Sequence, residues 1–169
     1  MADSSPVFAR KNGLTAGFGD AIVSSMGHYR FTVEIAAPID QVFDLWADPA
    51  RWHEWIEGLS KVTDVSGPPG VAGTRYITWF GAMRSPSEIV EAERPRRIAT
   101  RFGSWMLRGE TSATFEPTLG GTRLTQEFRT QGLIPAVSAR IFSLGSFKGS
   151  FRGELETFVR VAEREARAT

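Results

Sequence analysis

Apolar and polar residues alternate through most of the chain, and this period of two predicts β-strands. The first clear strand covers residues 29–36, where Phe31, Val33 and Ile35 share one face. Turn-forming segments such as Gly-Pro-Pro-Gly at 67–70 separate the later strands. These later predicted strands cover residues 59–65, 73–80, 85–93, 97–102, 107–116 and 122–130. The pattern therefore predicts a long antiparallel meander.

The stretch between the first two strands breaks this alternation and predicts two short helices, over residues 38–47 and 49–56. Pro38 suits the first turn of a helix, where a missing N–H group costs little. Asp48 ends the first helix and caps the second, because its side chain accepts hydrogen bonds from early backbone N–H groups. Three tryptophans lie on these short elements and indicate the lip of a cavity: Trp46, Trp52 and Trp55.

A long helix is predicted from residue 135 to about 164. Its apolar residues recur at three- and four-residue spacing: Ile141, Leu144, Phe151, Leu155, Phe158 and Ala162. Lys148 interrupts this stripe, so its amino group must reach solvent, pair with an acid or face a wet cavity. Glycines line one flank at positions 145, 149 and 153, and each costs about 1 kcal/mol relative to alanine in a helix. Close backbone packing, or room for a ligand or a bend, would explain them.

This order of elements is an α+β plan. We predict a helix-grip fold, in which a curved antiparallel sheet of about six or seven strands wraps around the long C-terminal helix and leaves a space beside it. Residues 28–169 form this domain. Residues 1–27 lack clear periodicity and are predicted to form an N-terminal arm, either flexible or docked through its few apolar side chains.

Composition excludes several classes of function. The net charge is +1, from 20 basic and 19 acidic residues, which gives no electrostatic reason to expect nucleic acid. Cysteine is absent, which excludes disulfides, thiolate nucleophiles and cysteine-bound metals and is compatible with the cytoplasm. No apolar run approaches the roughly 20 residues of a membrane span. We therefore predict a cytoplasmic monomer or homodimer with no cofactor.

Few residues suit catalysis or metal binding. His53 and Glu57 share the spacing of a zinc-protease helix, but position 57 holds glutamate where the second histidine ligand is required. We therefore predict no metal site. Phosphate-binding glycine loops and a Gly-x-Ser-x-Gly nucleophile motif are also absent. No catalytic residue can be assigned, and enzymatic activity stays open.

Strand alternation and the helical stripe together predict a ligand-binding cavity between the sheet and the last helix. Glu88 is expected to face inward and to form an ion pair with Lys148 across the cavity. A mostly aromatic lining with a few polar groups is the usual composition of a small-molecule site. The residues expected to line it are Trp46, Trp52, Trp55, Glu88, Val90, Thr100, Phe102, Phe115, Gln126, Phe128, Leu144, Lys148 and Phe151.

Several short motifs occur in a characteristic order over residues 29–166. They are Ala37-Pro38 with Val42-Phe43 and Trp46, then Asp48-Pro49 with Trp52 and Trp55, VEAERPRR at 90–97, GGTRLT at 120–125, and the long final helix. In this order the chain resembles the START-like helix-grip (SRPBCC) superfamily, and within it the polyketide cyclase/dehydrase and lipid-transport branch.

The resemblance implies an elongated hydrophobic cavity with Trp52 near its mouth. The cyclases that this chain resembles use a cavity arginine on the fourth strand, and the matching position here is Val90, which weakens the case for ring-forming catalysis. The leading hypothesis is therefore binding, with transport or sensing, of a lipid-like or aromatic small molecule. The alternatives are a polyketide cyclase, aromatase or dehydratase, and a protein-interaction module that uses its tryptophan lip.

Overall fold

A computed structural model describes residues 27–103, 107–132 and 144–168. Seven antiparallel strands form one sheet in the order β1-β7-β6-β5-β4-β3-β2. Their bounds are β1 Gly27–Ile35, β2 Leu59–Thr63, β3 Arg75–Phe80, β4 Met83–Glu93, β5 Arg97–Gly103, β6 Leu107–Thr118 and β7 Gly121–Gly132. Helix α1 covers Ile39–Ala47 and helix α2 covers Leu144–Ala168. The predicted α+β helix-grip architecture is confirmed. The predicted N-terminal arm lies, except for Gly27, outside the described residues.

The first predicted short helix is confirmed as α1, whereas the second is a single 3₁₀ turn, Trp52–Glu54. Asp48 ends α1 as predicted, and its Oδ1 accepts a hydrogen bond from the N–H of Ala50 at 3.0 Å. It does not cap the 3₁₀ turn, because that turn begins after Arg51 and has no side-chain cap. The indole Nε1–H of Trp52 donates to the carbonyl of Trp46 at 2.7 Å. This hydrogen bond holds the turn against the last residues of α1, so the segment does not continue as a second helix.

The outer face of the sheet carries a row of alternating charges. In register order across β3 to β7 this row is Arg75, Glu88, Arg101, Glu110 and Arg129. The Nε of Arg75 lies 3.3 Å from Glu88 Oε2, and Arg101 Nη2 lies 3.8 Å from Glu110 Oε2. The prediction that Glu88 faces the cavity is therefore wrong. Its predicted ion pair with Lys148 involves a side chain outside the described part of the structure.

A β-bulge in β4 explains this error. Ile89 pairs with Thr100 and Ala92 pairs with Ile98, so two steps along β5 correspond to three along β4. Val90 is the extra residue of the bulge, because the register shifts between Ile89 and Glu91. A bulge reverses the alternation on one side of it. The inward residue nearest to the position expected for the cyclase arginine is thus Ile89, which is 1% exposed.

Helix α2 meets the rest of the molecule at Phe158, whose side chain is fully buried. The rings of Trp46 and Trp55 each approach Phe158 edge-on, with centroids 5.0 Å apart. Trp46 also contacts Phe115 of β6, which in turn packs against Phe43 of α1. Such edge-to-face pairs contribute about 0.5–1.5 kcal/mol each beyond their buried area. This cluster joins α1, the 3₁₀ turn, the sheet and α2.

Polar contacts fix the same end of α2. The guanidinium of Arg51 donates to Glu54 in the 3₁₀ turn and to Glu165 of α2. The Oε1 of Glu163 accepts a hydrogen bond from the backbone N–H of Ala36 at 3.0 Å, just after β1. The C-terminal half of α2 is therefore held on two sides, while its first turns extend toward the opposite end of the sheet.

The start of β7 packs closely against the junction between β1 and α1. Thr122 is fully buried, and its hydroxyl donates to the carbonyl of Ala37 at 2.8 Å. Gly121 has φ +144°, and a Cβ atom there would lie 2.1 Å from the carbonyl oxygen of Ile35. The Gly-Thr pair of the GGTRLT motif is thus required by this close backbone approach.

Two glycine substitutions should shift stability in opposite directions. A Cβ atom at Gly153 meets nothing within 4 Å, so close packing does not require this glycine. We expect Gly153→Ala to stabilise the protein by about 1 kcal/mol, or about 2–4 °C in Tm. Gly121→Ala is the matched control and should lower Tm, because its Cβ overlaps the backbone of β1. Thermal melts of both variants test this, and an unchanged or lower Tm for Gly153→Ala would show that residue 153 has a further role.

Candidate functional site

The concave face of the sheet carries an aromatic wall that α2 completes. Phe102 of β5 stacks on Phe128 of β7, with centroids 5.1 Å apart and planes 20° from parallel. Phe151 of α2 lies 4.7 Å from Phe128 and 6.4 Å from Tyr29 of β1. All four rings are only partly buried. They therefore form an apolar surface that the core does not fully bury.

A row of hydroxyl groups lies beside this wall. Tyr76 of β3 pairs with Ser87 of β4, and Thr100 of β5 pairs with Thr111 of β6. The hydroxyl of Tyr76 donates to Thr100 Oγ1 at 3.4 Å. Thr111 Oγ1 is buried and has no hydrogen-bond partner among the described residues. A buried hydroxyl without a partner costs free energy, so it is a natural point for a ligand oxygen to bind.

Tyr76 is built to donate a hydrogen bond and not to act as a base. It is 4% exposed, and this burial raises its pKa to about 12, against the smaller opposing effect of the Thr100 hydrogen bond. The phenol is therefore neutral at physiological pH. The ring of Trp52 meets Tyr76 edge-on at 5.0 Å, which places Trp52 at the border of the hydroxyl row.

The other predicted site residues fall into three groups. Trp55 and Phe115 are 6% and 1% exposed inside the Phe158 cluster, and Trp46 packs beside them. These three side chains pack in the core behind the aromatic wall and do not line the candidate site. Gln126 is partly buried between Phe31 of β1 and Ala113 of β6 in the register. Leu144 and Lys148 belong to the first turns of α2, and their side chains lie outside the described part of the structure.

Glu154 was not predicted. It lies on α2 between Phe151 and Phe158, at spacings of three and four residues that place it on the edge of the apolar stripe. The pKa of its carboxyl is raised to about 7, mainly by burial; a hydrogen bond from the backbone N–H of Glu57 opposes this, and the nearby carboxylate of Glu57 adds a smaller increase. Its helical spacing is the signal that identifies it in the sequence.

Two hydroxyl residues were also missed. Ser87 was missed because the bulge in β4 reversed the assigned faces. Thr111 continues the phase of Ala113 and Phe115, which were correctly expected to face inward, so extending that alternation by one step finds it.

Glu154 should make stability depend on pH. Its pKa is raised from 4.5 to about 7 in the folded state, so stability from the protonated carboxyl is present below 4.5 and is lost as the pH rises through about 7. We expect Glu154→Gln to stabilise the protein above pH 7 by on the order of 2 kcal/mol and to have little effect at acidic pH. The matched control is Glu156→Gln, an exposed position on the same helix. Denaturant unfolding at both pH values measures this, and a Glu154→Gln effect independent of pH would contradict it.

In the described ranges, histidine, aspartate and glutamate side chains form no group of three or more that could hold a metal ion. Neither helix in that part of the chain has the length and apolar character needed to cross a bilayer.

Comparisons with known proteins agree with this fold. An uncharacterized protein of Mycobacterium tuberculosis is 35% identical over 81 residues, which are 47% of this chain and 48% of that protein. The chain thus spans about half the length of the curated relatives it matches. Among solved structures, a hypothetical protein from Helicobacter pylori has a TM-score of 0.67 at 12% identity, covering 96% of this chain and 99% of that one.

The di-domain ARO/CYC protein StfQ from the steffimycin biosynthetic pathway also has a TM-score of 0.67, at 14% identity. That match covers 83% of this chain and 52% of StfQ. At these identities the solved structures show the fold alone. The family model described as polyketide cyclase/dehydrase and lipid transport matches residues 26–163. This chain therefore belongs to the polyketide cyclase/dehydrase and lipid transport family.

Proposed function

We propose that the protein binds a hydrophobic small molecule, aromatic or lipid-like, between the concave face of the sheet and the first half of α2. The observation that carries this proposal is the partly buried wall of Phe102, Phe128 and Phe151 next to the unpartnered hydroxyl of Thr111. The aromatic wall can contact the apolar part of a ligand, and the Thr111 hydroxyl beside it can fix the ligand's orientation through a hydrogen bond. Both features are typical of small-molecule sites.

Apolar burial would supply most of the affinity. Each Å² of apolar surface removed from water contributes about 25 cal/mol, before the costs of immobilising the ligand and ordering side chains. The hydroxyl row would fix the ligand's orientation, because Thr111 gains the hydrogen bond that it lacks. Tyr76 and Thr100 already bond to each other, so they are less available.

Binding is favoured over catalysis by the chemistry of the same surface. The hydroxyls of Tyr76, Thr100 and Thr111 are neutral, and the raised pKa of Tyr76 removes it as a base. The position matched to the cyclase arginine is Val90, the extra residue of the bulge, and the nearest inward residue is the apolar Ile89. The carboxyl of Glu154 on α2 has a raised pKa, but it accepts a hydrogen bond from the backbone of Glu57. We therefore favour a carrier or sensor over a cyclase.

The proposal is tested with a matched pair of ligands and a matched pair of variants. Naphthol and naphthalene share an apolar ring system, and only naphthol carries a hydroxyl. We expect Thr111→Val to weaken naphthol binding by about two- to tenfold, the value of one hydrogen bond of about 0.5–1.5 kcal/mol. Naphthalene binding should be unchanged. Quenching of tryptophan fluorescence measures both affinities, since Trp52 borders the site.

The control is Thr114→Val, which makes the same change on the opposite face of β6 and should alter neither affinity. Thr111→Val should keep or raise Tm, because it removes an unpartnered buried hydroxyl. If wild-type protein binds neither compound, nor a long-chain fatty acid, the proposed pocket is wrong. If Thr111→Val affects both compounds equally, the hydroxyl row does not orient the ligand.

A further inference from the structure

The two ends of the sheet differ in the contacts that the described residues make. The β3–β4 hairpin, with Phe80 paired to Met83, lies at the same end as the start of β1 and the end of β7, where Gly27 pairs with Thr130. The first turns of α2 extend toward this end, whereas the Phe158 cluster closes the opposite one. The aromatic wall therefore lies nearer to the end that carries the hairpin.

Trp79 lies on the outer face beside this hairpin between two cations. The Nζ of Lys61 lies 4.9 Å from the Trp79 ring centroid, and the guanidinium carbon of Arg84 lies 5.9 Å from it. The indole N–H donates to Thr63 Oγ1 at 3.0 Å, which fixes the ring. Met83 is 51% exposed at the hairpin tip.

Lys61 and Arg84 differ from Arg75 and Arg101, which lie on the same face. Both are exposed, and neither forms an ion pair with any carboxylate in the described part of the chain. Arg75 and Arg101, on the same face, pair with Glu88 and Glu110. The cations of the charge row are thus paired with carboxylates, whereas Lys61 and Arg84 leave two positive charges at the hairpin without such partners.

We propose that the hairpin surface, formed by Lys61, Trp79, Met83 and Arg84, docks onto the anionic surface of a lipid bilayer. Tryptophan is enriched at the membrane–water interface, where its ring is apolar and its N–H is polar. Lysine and arginine are attracted to anionic headgroups. Met83 adds an exposed apolar side chain at the tip that can enter the interface. Docking is peripheral and reversible.

The size and shape of this surface favour a bilayer over other anionic partners. Two cations are too few for a nucleic-acid site, which usually neutralises six to ten phosphates. A projecting hairpin with an apolar tip suits insertion into an interface. Docking here would also turn the hairpin end of the sheet toward the bilayer. Vesicle binding does not require an occupied cavity, so its failure and a failure of ligand binding are distinguishable.

Sedimentation with phosphatidylcholine vesicles, with and without phosphatidylserine, tests the proposal. We expect wild-type protein to bind only the vesicles that contain phosphatidylserine, with an affinity that falls as salt is added. Lys61→Gln/Arg84→Gln should weaken binding about 25-fold, from about fivefold for each cation. Met83→Ser should weaken it further. All three positions are exposed, so thermal melts should show unchanged folding.

Arg75→Gln/Arg101→Gln is the matched control, because it removes the same charge from the same face and should leave vesicle binding unchanged. An equal loss in both double variants would show that only net charge matters and would overturn the proposal. Wild-type binding to heparin without binding to phosphatidylserine vesicles would overturn it in favour of a soluble polyanion. So would the absence of vesicle binding at low salt.

Discussion

The packing of Trp46 and Trp55 on the edge of Phe158 is the contact on which the rest of the structure depends. It brings α1, the 3₁₀ turn, β6 and α2 to one buried point, with centroid distances of 5.0 Å on both sides of Phe158. The ion pairs of Arg51 and the Glu163 hydrogen bond act on the same end of α2. A helix held firmly at one end can leave its first turns over a site without a loss of overall stability.

The sheet separates two kinds of chemistry because its residues alternate between faces. The outer face holds a row of opposite charges, in which Glu88 stands between Arg75 and Arg101. The concave face holds phenyl rings and neutral hydroxyls, including that of Thr111. The charged side chains thus remain in contact with water, where isolated ion pairs contribute little to stability. The interior carries neutral groups, which cost less free energy to remove from water than charged groups do. Such an interior suits an apolar ligand with one or two oxygens.

Much of the architecture could be predicted from the sequence, because regular alternation is reliable where strands are regular. Leu124 and Phe128 of β7 and Ile98 of β5 face inward as expected, since neither strand carries a bulge. The prediction for β4 was wrong because one extra residue, Val90, reverses the alternation, so that Glu88 lies on the outer face. Bulges have no strong local sequence signal, so only the cross-strand register could reveal this one.

Two other features depended on tertiary contacts that a local pattern does not contain. The second short helix became a 3₁₀ turn because the Trp52 indole bonds to a carbonyl of α1. On β3 both faces are apolar in sequence, and the contacts of Tyr76 with Trp52 and Thr100 decide which one is inward. The partly buried carboxyl of Glu154 could have been found from its helical spacing, because that spacing places it at the edge of the apolar stripe.

The central claim is that a hydrophobic ligand binds between the concave face and α2, and nuclear magnetic resonance mapping during titration with naphthol tests it most directly. The account predicts that signals of Thr100, Thr111 and Phe128 shift progressively, while those of Glu88 and Glu110 on the outer face stay in place. Shifts confined to the outer face, or no shifts on the concave face at saturating ligand, would contradict it.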